Sequence, residues 1–182
     1  NIYGSLNVLK SANNAKANLT IISTDKAVLP RNILGITKRV SEIICDIFIR
    51  EKRINIKVVR FGNVIGSNGS AIPLFCEQLN SNQPITLSSY KAKRFFMTIK
   101  EACYLVLKTT NLKTSNKIFV LNMGKEIKII NIINRLIQIF KKFKEDINEK
   151  IVITGLKNGE KIKERLFLQK KIKTKNKNIF TS

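Results

Sequence analysis

A chain of 182 residues with 43% hydrophobic content has the length of one ordinary globular domain. It carries a formal charge of +22, from 34 basic and 12 acidic residues, and has no histidine, which excludes a histidine-containing metal site and leaves acid–base chemistry to Asp, Glu, Lys, Tyr or Cys. No apolar run approaches the roughly 18 residues that cross a bilayer, and Cys45, Cys76 and Cys103 lie far apart with no Cys-x-x-Cys pair, as expected of reduced thiols in a cytoplasmic protein.

Residues 1–12 read as a helix in progress, because Ile2, Leu6 and Leu9 recur at helical spacing with no capping residue ahead of them; the chain is expected to begin inside a domain. Leu19–Ser23 (LTIIS) is a β-branched apolar run suited to a buried parallel strand. Past Pro30, Asn32 is placed to cap a helix running to about Lys52, and Ile54–Phe61 (INIKVVRF) is a second buried strand, ending in the Gly-rich turn 62–70. A helix opened by Pro73, a short strand at Ile85–Leu87 and a helix at Thr98–Thr109 follow. Lys117–Leu121 predicts a strand, Ile127–Phe143 a long amphipathic helix, and Ile151–Ile153 a strand closed by the turn at 156–159. Strands alternating with helices indicate an α/β parallel sheet, with the second half forming a smaller lobe at the carboxyl edge of the sheet, where ligands bind in such folds.

The positive charges are dispersed and no aromatic-interleaved basic stripe occurs, so nucleic acid is not an expected partner. The stretch 169–182 has five lysines and no acid and is expected to be a basic, frayed tail beyond a domain of residues 1–168.

The stretch ISTDKAVLPRNILGITK (22–38) places hydroxyl, carboxylate and ammonium groups at the carboxyl end of a strand, and the following helix returns a second lysine, Lys38, toward the same place. An Asp-Lys dipeptide in a solvated turn is the plain alternative. Four blocks run in order along the chain: STDKAVLPRNILGITKR (23–39), VVRFGNVIGSNGSAIPLF (58–75), RFFMTIKEA (94–102), and IFVLNMGKEIKI with VITGLKNGEKIKE (118–129 and 152–164). Together they resemble the CapD-like polysaccharide-biosynthesis branch of extended short-chain dehydrogenases/reductases, typified by UDP-N-acetylglucosamine 4,6-dehydratases. The resemblance implies the C-terminal part of a Rossmann-like doubly wound parallel sheet with a smaller substrate-binding lobe. No Gly-x-x-Gly-x-x-Gly fingerprint precedes the catalytic block, so the first βαβ cofactor half is expected to be absent and the chain alone inactive.

The resemblance also implies a reaction: an NAD- or NADP-dependent lyase removing water across C5 and C6 of a UDP-N-acetylhexosamine. It makes Asp25 the acid, Lys26 the C5 base, Thr24 the partner of the C4 hydroxyl, and Lys38 the holder of the nicotinamide ribose. A lysine serves as a base only when its pKa falls, which burial and a second cation cause. Arg60, Phe61 and Gly62 are implied at the cofactor, and Asn63, Arg94, Lys157 and Glu160 at the substrate, where an arginine fork suits diphosphate oxygens. Lys157 replaces the family's usual Arg. Leu34 stands where the wider superfamily has a tyrosine base, so the C4 hydroxyl proton needs another route, through Thr24–Asp25 or a water chain. Tyr104–Lys108 (YLVLK) has Tyr-x-x-x-Lys spacing but lies in an apolar helix and is read as chance. The resemblance further implies a homo-oligomer, with membrane contact only through an upstream anchor at the cytoplasmic face. A 4-epimerase or reductase of the same fold, and a non-catalytic basic binding module, remain the alternatives.

Overall fold

A computed structural model describes residues 1–51, 54–113, 117–168 and 171–181. In chain order the elements are α1 (Ile2–Asn14), β1 (Leu19–Thr24), a 3-10 turn (Asp25–Ala27), α2 (Ile33–Arg50), β2 (Ile56–Phe61), β3 (Asn63–Val64), α3 (Ala71–Asn80) and β4 (Ile85–Leu87). They continue as β5 (Lys93–Arg94), β6 (Phe96–Met97), α4 (Ile99–Thr110), β7 (Lys117–Leu121), β8 (Ile127–Lys128), α5 (Ile129–Phe140), β9 (Ile151–Ile153), β10 (Ile172–Lys173) and β11 (Ile179–Thr181). None of the described helices is long and apolar enough to cross a membrane.

The chain forms two compact units. The first comprises Asn1–Gly62, Lys100–Asn122 and Arg165–Ser182. Its five-stranded sheet has the order β1-β2-β7-β11-β10. The strands β1, β2 and β7 are parallel, in register from Leu19↔Ile56 to Thr24↔Phe61 and from Lys57↔Lys117 to Arg60↔Val120. The expected adjacency of the two β-branched runs is therefore present. Side chains alternate across a strand. Ile56 and Val58 pack with Leu9 of α1 and with Cys45 and Phe48 of α2. Lys57, on the opposite face, donates to the carbonyls of Thr110 (2.6 Å) and Leu112 (2.7 Å), satisfying acceptors that the end of α4 leaves open.

The second unit, Asn63–Ile99 with Met123–Glu164, is built from two separated segments rather than from the second half of the chain. Phe75 and Leu79 of α3, Ile85 and Leu87 of β4, and Ile129, Ile133 and Ile137 of α5 form its core. Two helix starts differ from expectation. The helix α3 begins at Ala71, which puts Pro73 inside the first turn, where its missing N–H removes no helical bond. The helix α5 begins only at Ile129, because Ile127 and Lys128 pair antiparallel with Arg94 and Lys93, and ends at Phe140 rather than Phe143.

The largest correction concerns the basic C-terminal stretch. Its described residues, 171–181, are not frayed: β11 pairs antiparallel with β7 (Ile179↔Leu121, Phe180↔Val120, Thr181↔Phe119), and β10 pairs with β11. Ile179, Phe180 and Thr181 are buried. The ammonium of Lys171 lies 3.7 Å from the Phe180 ring centroid, a cation–π contact, while Lys173 occupies an edge strand where a charge discourages further pairing. Lysines there cover an apolar strand rather than solvate a tail. Phe180→Ala should therefore lower stability by about 3–5 kcal/mol, the usual cost of truncating a buried phenylalanine. Urea unfolding of the chain measures this; an unchanged midpoint and slope would restore the frayed-tail reading.

Candidate active site

The carboxyl end of β1 turns directly into the 3-10 turn. The Thr24 hydroxyl accepts from the Lys26 amide at 3.3 Å and donates to Asp25 Oδ1 at 2.9 Å. Lys26 Nζ donates to the same Oδ1 at 3.1 Å. Asp25 is wholly buried, and its Oδ2 has no hydrogen-bond partner among the described residues. A buried carboxylate oxygen without a partner is costly. Such a group is a natural place to look for chemistry. Ala27 and Val28, both fully buried, anchor the turn.

Helix α2 is brought to this turn by three local features. Asn32 caps it, accepting from the Gly35 amide at 2.8 Å. Gly35 lies so close to the turn that a Cβ there would stand 2.4 Å from the Lys26 carbonyl oxygen, so only glycine fits without displacing backbone. One turn on, Lys38 Nζ donates to the Ile22 carbonyl at 3.2 Å. Leu34 is exposed and offers no titratable group. Phe61 pairs in register with Thr24, so the end of β2 lies beside the Thr-Asp-Lys triplet, with Gly62 immediately after it.

Arg60 is a correction. Its side chain, expected at the cofactor, is fully buried and turned onto α2, where Nε and Nη2 donate to Glu42 Oε1 and Oε2, each at 2.6 Å. A guanidinium inside a strand of the central sheet needs a counter-charge, and Glu42 provides it. Glu42 also accepts from Ser23 Oγ at 2.7 Å and from Arg39 Nη1 at 3.0 Å. Burial pushes the Glu42 carboxyl up, but the hydrogen bonds and charge of Arg60, with Ser23 and Arg39, outweigh it and hold the group below its ordinary range. Sequence reading missed Glu42. The signal was there: an arginine in an apolar strand run, and an acid four residues after Lys38 on the same helical face.

In the second unit, Arg94 and Glu160 are brought together. Arg94 Nη2 donates to Glu160 Oε1 at 3.2 Å, and Nη1 donates to the carbonyls of Lys93 (2.8 Å) and Ile162 (3.1 Å). Ser88 Oγ, also missed in the sequence, donates to Glu160 Oε1 at 2.8 Å. Lys157 joins through its backbone, its amide donating to Glu160 Oε2 at 3.2 Å while the side chain is exposed. Asn63 lies in β3, where its amide donates to the Phe95 carbonyl at 3.1 Å.

The family described as "Polysaccharide biosynthesis protein" matches residues 1–181. The chain belongs to this family. It is 41% identical over 174 residues to the capsular polysaccharide biosynthesis protein CapD of Staphylococcus aureus, covering 94% of this chain and 29% of CapD. It is 34% identical over 174 residues to a UDP-glucose 4-epimerase of Rickettsia bellii, covering 91% of this chain and 48% of the epimerase. Family members thus extend well beyond the span matched here. Among solved structures, Pen from Bacillus thuringiensis superposes with a TM-score of 0.88 at 33% identity, over 100% of this chain and 58% of Pen. The dTDP-glucose 4,6-dehydratase DesIV from Streptomyces venezuelae shares the fold with a TM-score of 0.82 at 16% identity, over 92% of this chain and 56% of DesIV. The fold is the α/β fold of these proteins, with a mainly parallel central sheet.

The buried Glu42–Arg60 pair has a measurable signature in this chain. Glu42→Gln keeps the shape, removes the charge and leaves Arg60 buried without a counter-ion, which should cost about 3–5 kcal/mol at neutral pH. Because the folded-state pKa is lowered, the wild-type contribution is full above the ordinary value of 4.5 and is lost as pH falls through the lower folded-state value. Urea unfolding of both proteins from neutral into acid pH should show the gap between them closing. A gap independent of pH would contradict the ion pair.

Proposed function

We propose that the chain carries the catalytic and substrate-binding residues of an NAD(P)-dependent nucleotide-sugar 4,6-dehydratase acting on a UDP-N-acetylhexosamine, with UDP-N-acetylglucosamine as the substrate of choice. The observation that carries this reading is the buried Asp25 carboxyl, joined through Oδ1 to both Thr24 and Lys26 and with its second oxygen unpaired. Dehydration across C5 and C6 needs an acid for the departing C6 hydroxyl and a base for the C5 proton, and adjacent Asp and Lys supply both. Epimerisation at C4 needs neither.

The roles are those that the family resemblance implies. Asp25 protonates the leaving C6 oxygen and Lys26 takes the proton from C5. Thr24 hydrogen-bonds the C4 hydroxyl, and the Thr24–Asp25 contact of 2.9 Å offers that hydroxyl's proton a route that does not need a tyrosine, which accommodates Leu34. NAD(P), when bound, would supply hydride transfer between C4 and C6; DesIV is described with NAD bound. Lys38 fits the nicotinamide ribose, since an ammonium has three donors and its bond to Ile22 leaves others available. Phe61 and Gly62, at the end of β2, complete the cofactor-facing backbone. Asn63, Arg94, Lys157 and Glu160 hold the UDP portion. The Arg94–Glu160 pair, only partly buried, can open so that the guanidinium takes diphosphate oxygens and the carboxylate a ribose hydroxyl.

The second reading, a UDP-sugar 4-epimerase, is favoured by the Rickettsia bellii relative. The two differ in product. In the full-length protein that carries this chain, incubation with UDP-N-acetylglucosamine should yield the 4-keto-6-deoxy sugar, and Lys26→Ala should lower turnover by about 10²–10⁴, the usual share of a general base, while UDP-sugar affinity changes little. Mass spectrometry and NMR of the products, with calorimetric titration of the variant, make the measurement. A C4 epimer as sole product, or Lys26→Ala turnover within about tenfold of wild type, would sink the dehydratase assignment.

A further inference from the structure

Every residue given a catalytic role in the first unit is attached to β1, the turn after it, or α2. One carboxylate joins those elements. Glu42 Oε1 accepts from Ser23 Oγ at 2.7 Å and Arg60 Nε at 2.6 Å, so the carboxyl-terminal ends of β1 and β2 meet at a single oxygen atom of α2. Ser23 immediately precedes Thr24, Asp25 and Lys26. Lys38 lies one helical turn before Glu42 on the same face, with Gly35 one turn earlier again against the Lys26 carbonyl. Ser23, Glu42 and Arg60 are all buried, so solvent does not compete for these bonds.

We propose that Glu42 is a positioning residue for the catalytic groups, acting through the Ser23 hydroxyl to fix the Thr24–Asp25–Lys26 turn in register with Lys38. The proposal rests on the roles assigned above to those four residues. The ion pair with Arg60 sets the orientation of the carboxylate. The bond from Ser23 carries that orientation to the strand end, one residue from the reacting groups. The bonds from Arg60 and Arg39 serve the fold, and the Ser23 bond serves the site. Removing the serine hydroxyl therefore loosens the turn while the Arg60–Glu42 pair stays in place.

The test uses the full-length protein that carries this chain, as wild type, Ser23→Ala and Glu42→Gln, at a temperature where circular dichroism shows each folded. Acetic anhydride labelling followed by mass spectrometry reads the Lys26 and Lys38 amines relative to Lys10, an exposed lysine of α1 outside the network. In Ser23→Ala, labelling of Lys26 and Lys38 should change several-fold relative to Lys10. The kcat for UDP-sugar conversion, whichever product forms, should fall by about ten- to a hundredfold, the cost of a misplacement on the order of an ångström, with KM within about twofold. Glu42→Gln, which keeps an acceptor for Ser23 but frees Arg60, should shift the same two lysines. Unchanged labelling in folded Ser23→Ala, or changed labelling with unchanged kcat, overturns the proposal. A wild-type protein that makes an epimer fails the dehydratase assignment instead, and the labelling comparison still decides the role of Glu42.

Discussion

The organisation of the first unit depends on one buried charge. Arg60 sits in a strand flanked by α2 on one face, where an uncompensated guanidinium would be prohibitive, and Glu42 meets it with both oxygens at 2.6 Å. Burying the pair carries a large desolvation cost, and replacing such pairs with apolar residues is often neutral or stabilising. The pair is therefore weak as an explanation of stability and strong as an explanation of geometry. It fixes the rotation of α2 about its own axis, and that rotation decides where Lys38 points. Four donors from β1, α2 and β2 converge on two oxygens, so the elements can hardly slide without breaking several bonds at once.

The Arg94–Glu160 pair of the second unit obeys different physics. Arg94 and Glu160 form a single charge-assisted bond of 3.2 Å, with side chains 10% and 26% exposed, against 1% and 1% for Arg60 and Glu42. A partly hydrated pair is worth little and can be exchanged for a ligand. The same residue types form a fixed strut in one place and a partly hydrated pair in the other. Burial makes the difference, and burial follows from position: Arg60 lies in the central sheet, Arg94 in a two-residue strand with a loop for a partner.

Much of this was legible in the sequence because several signals agreed. At α2, the Asn32 cap, the helical spacing of apolar residues and Pro30 ahead of the start all pointed the same way, and the helix runs Ile33–Arg50. The β-branched runs gave β1, β2 and β7 because parallel strands buried on both faces have few other compositions. The Thr-Asp-Lys triplet was visible as chemistry at a strand end. Other features were hidden by competing signals. Five lysines masked β10 and β11, whose apolar residues Ile172, Ile179 and Phe180 are too few to show a period. Ile127 and Lys128 fitted a helical pattern that pairing with β5 overrode. Arg60 was assigned by its motif, whereas the partner that claims its side chain lies 18 residues away in sequence.

The account stands on assigning proton removal at C5 to Lys26 and protonation of the C6 oxygen to Asp25, and isotopic labelling interrogates it directly. The full-length protein that carries this chain is supplied with UDP-N-acetylglucosamine deuterated at C4, in deuterium oxide, and the product is read by NMR. A dehydratase moves the label from C4 to the C6 methyl group and takes the C5 hydrogen from solvent. That is the predicted result. Label returned to C4, with C5 retaining its original hydrogen, would show that no proton is removed at C5 and would contradict the account.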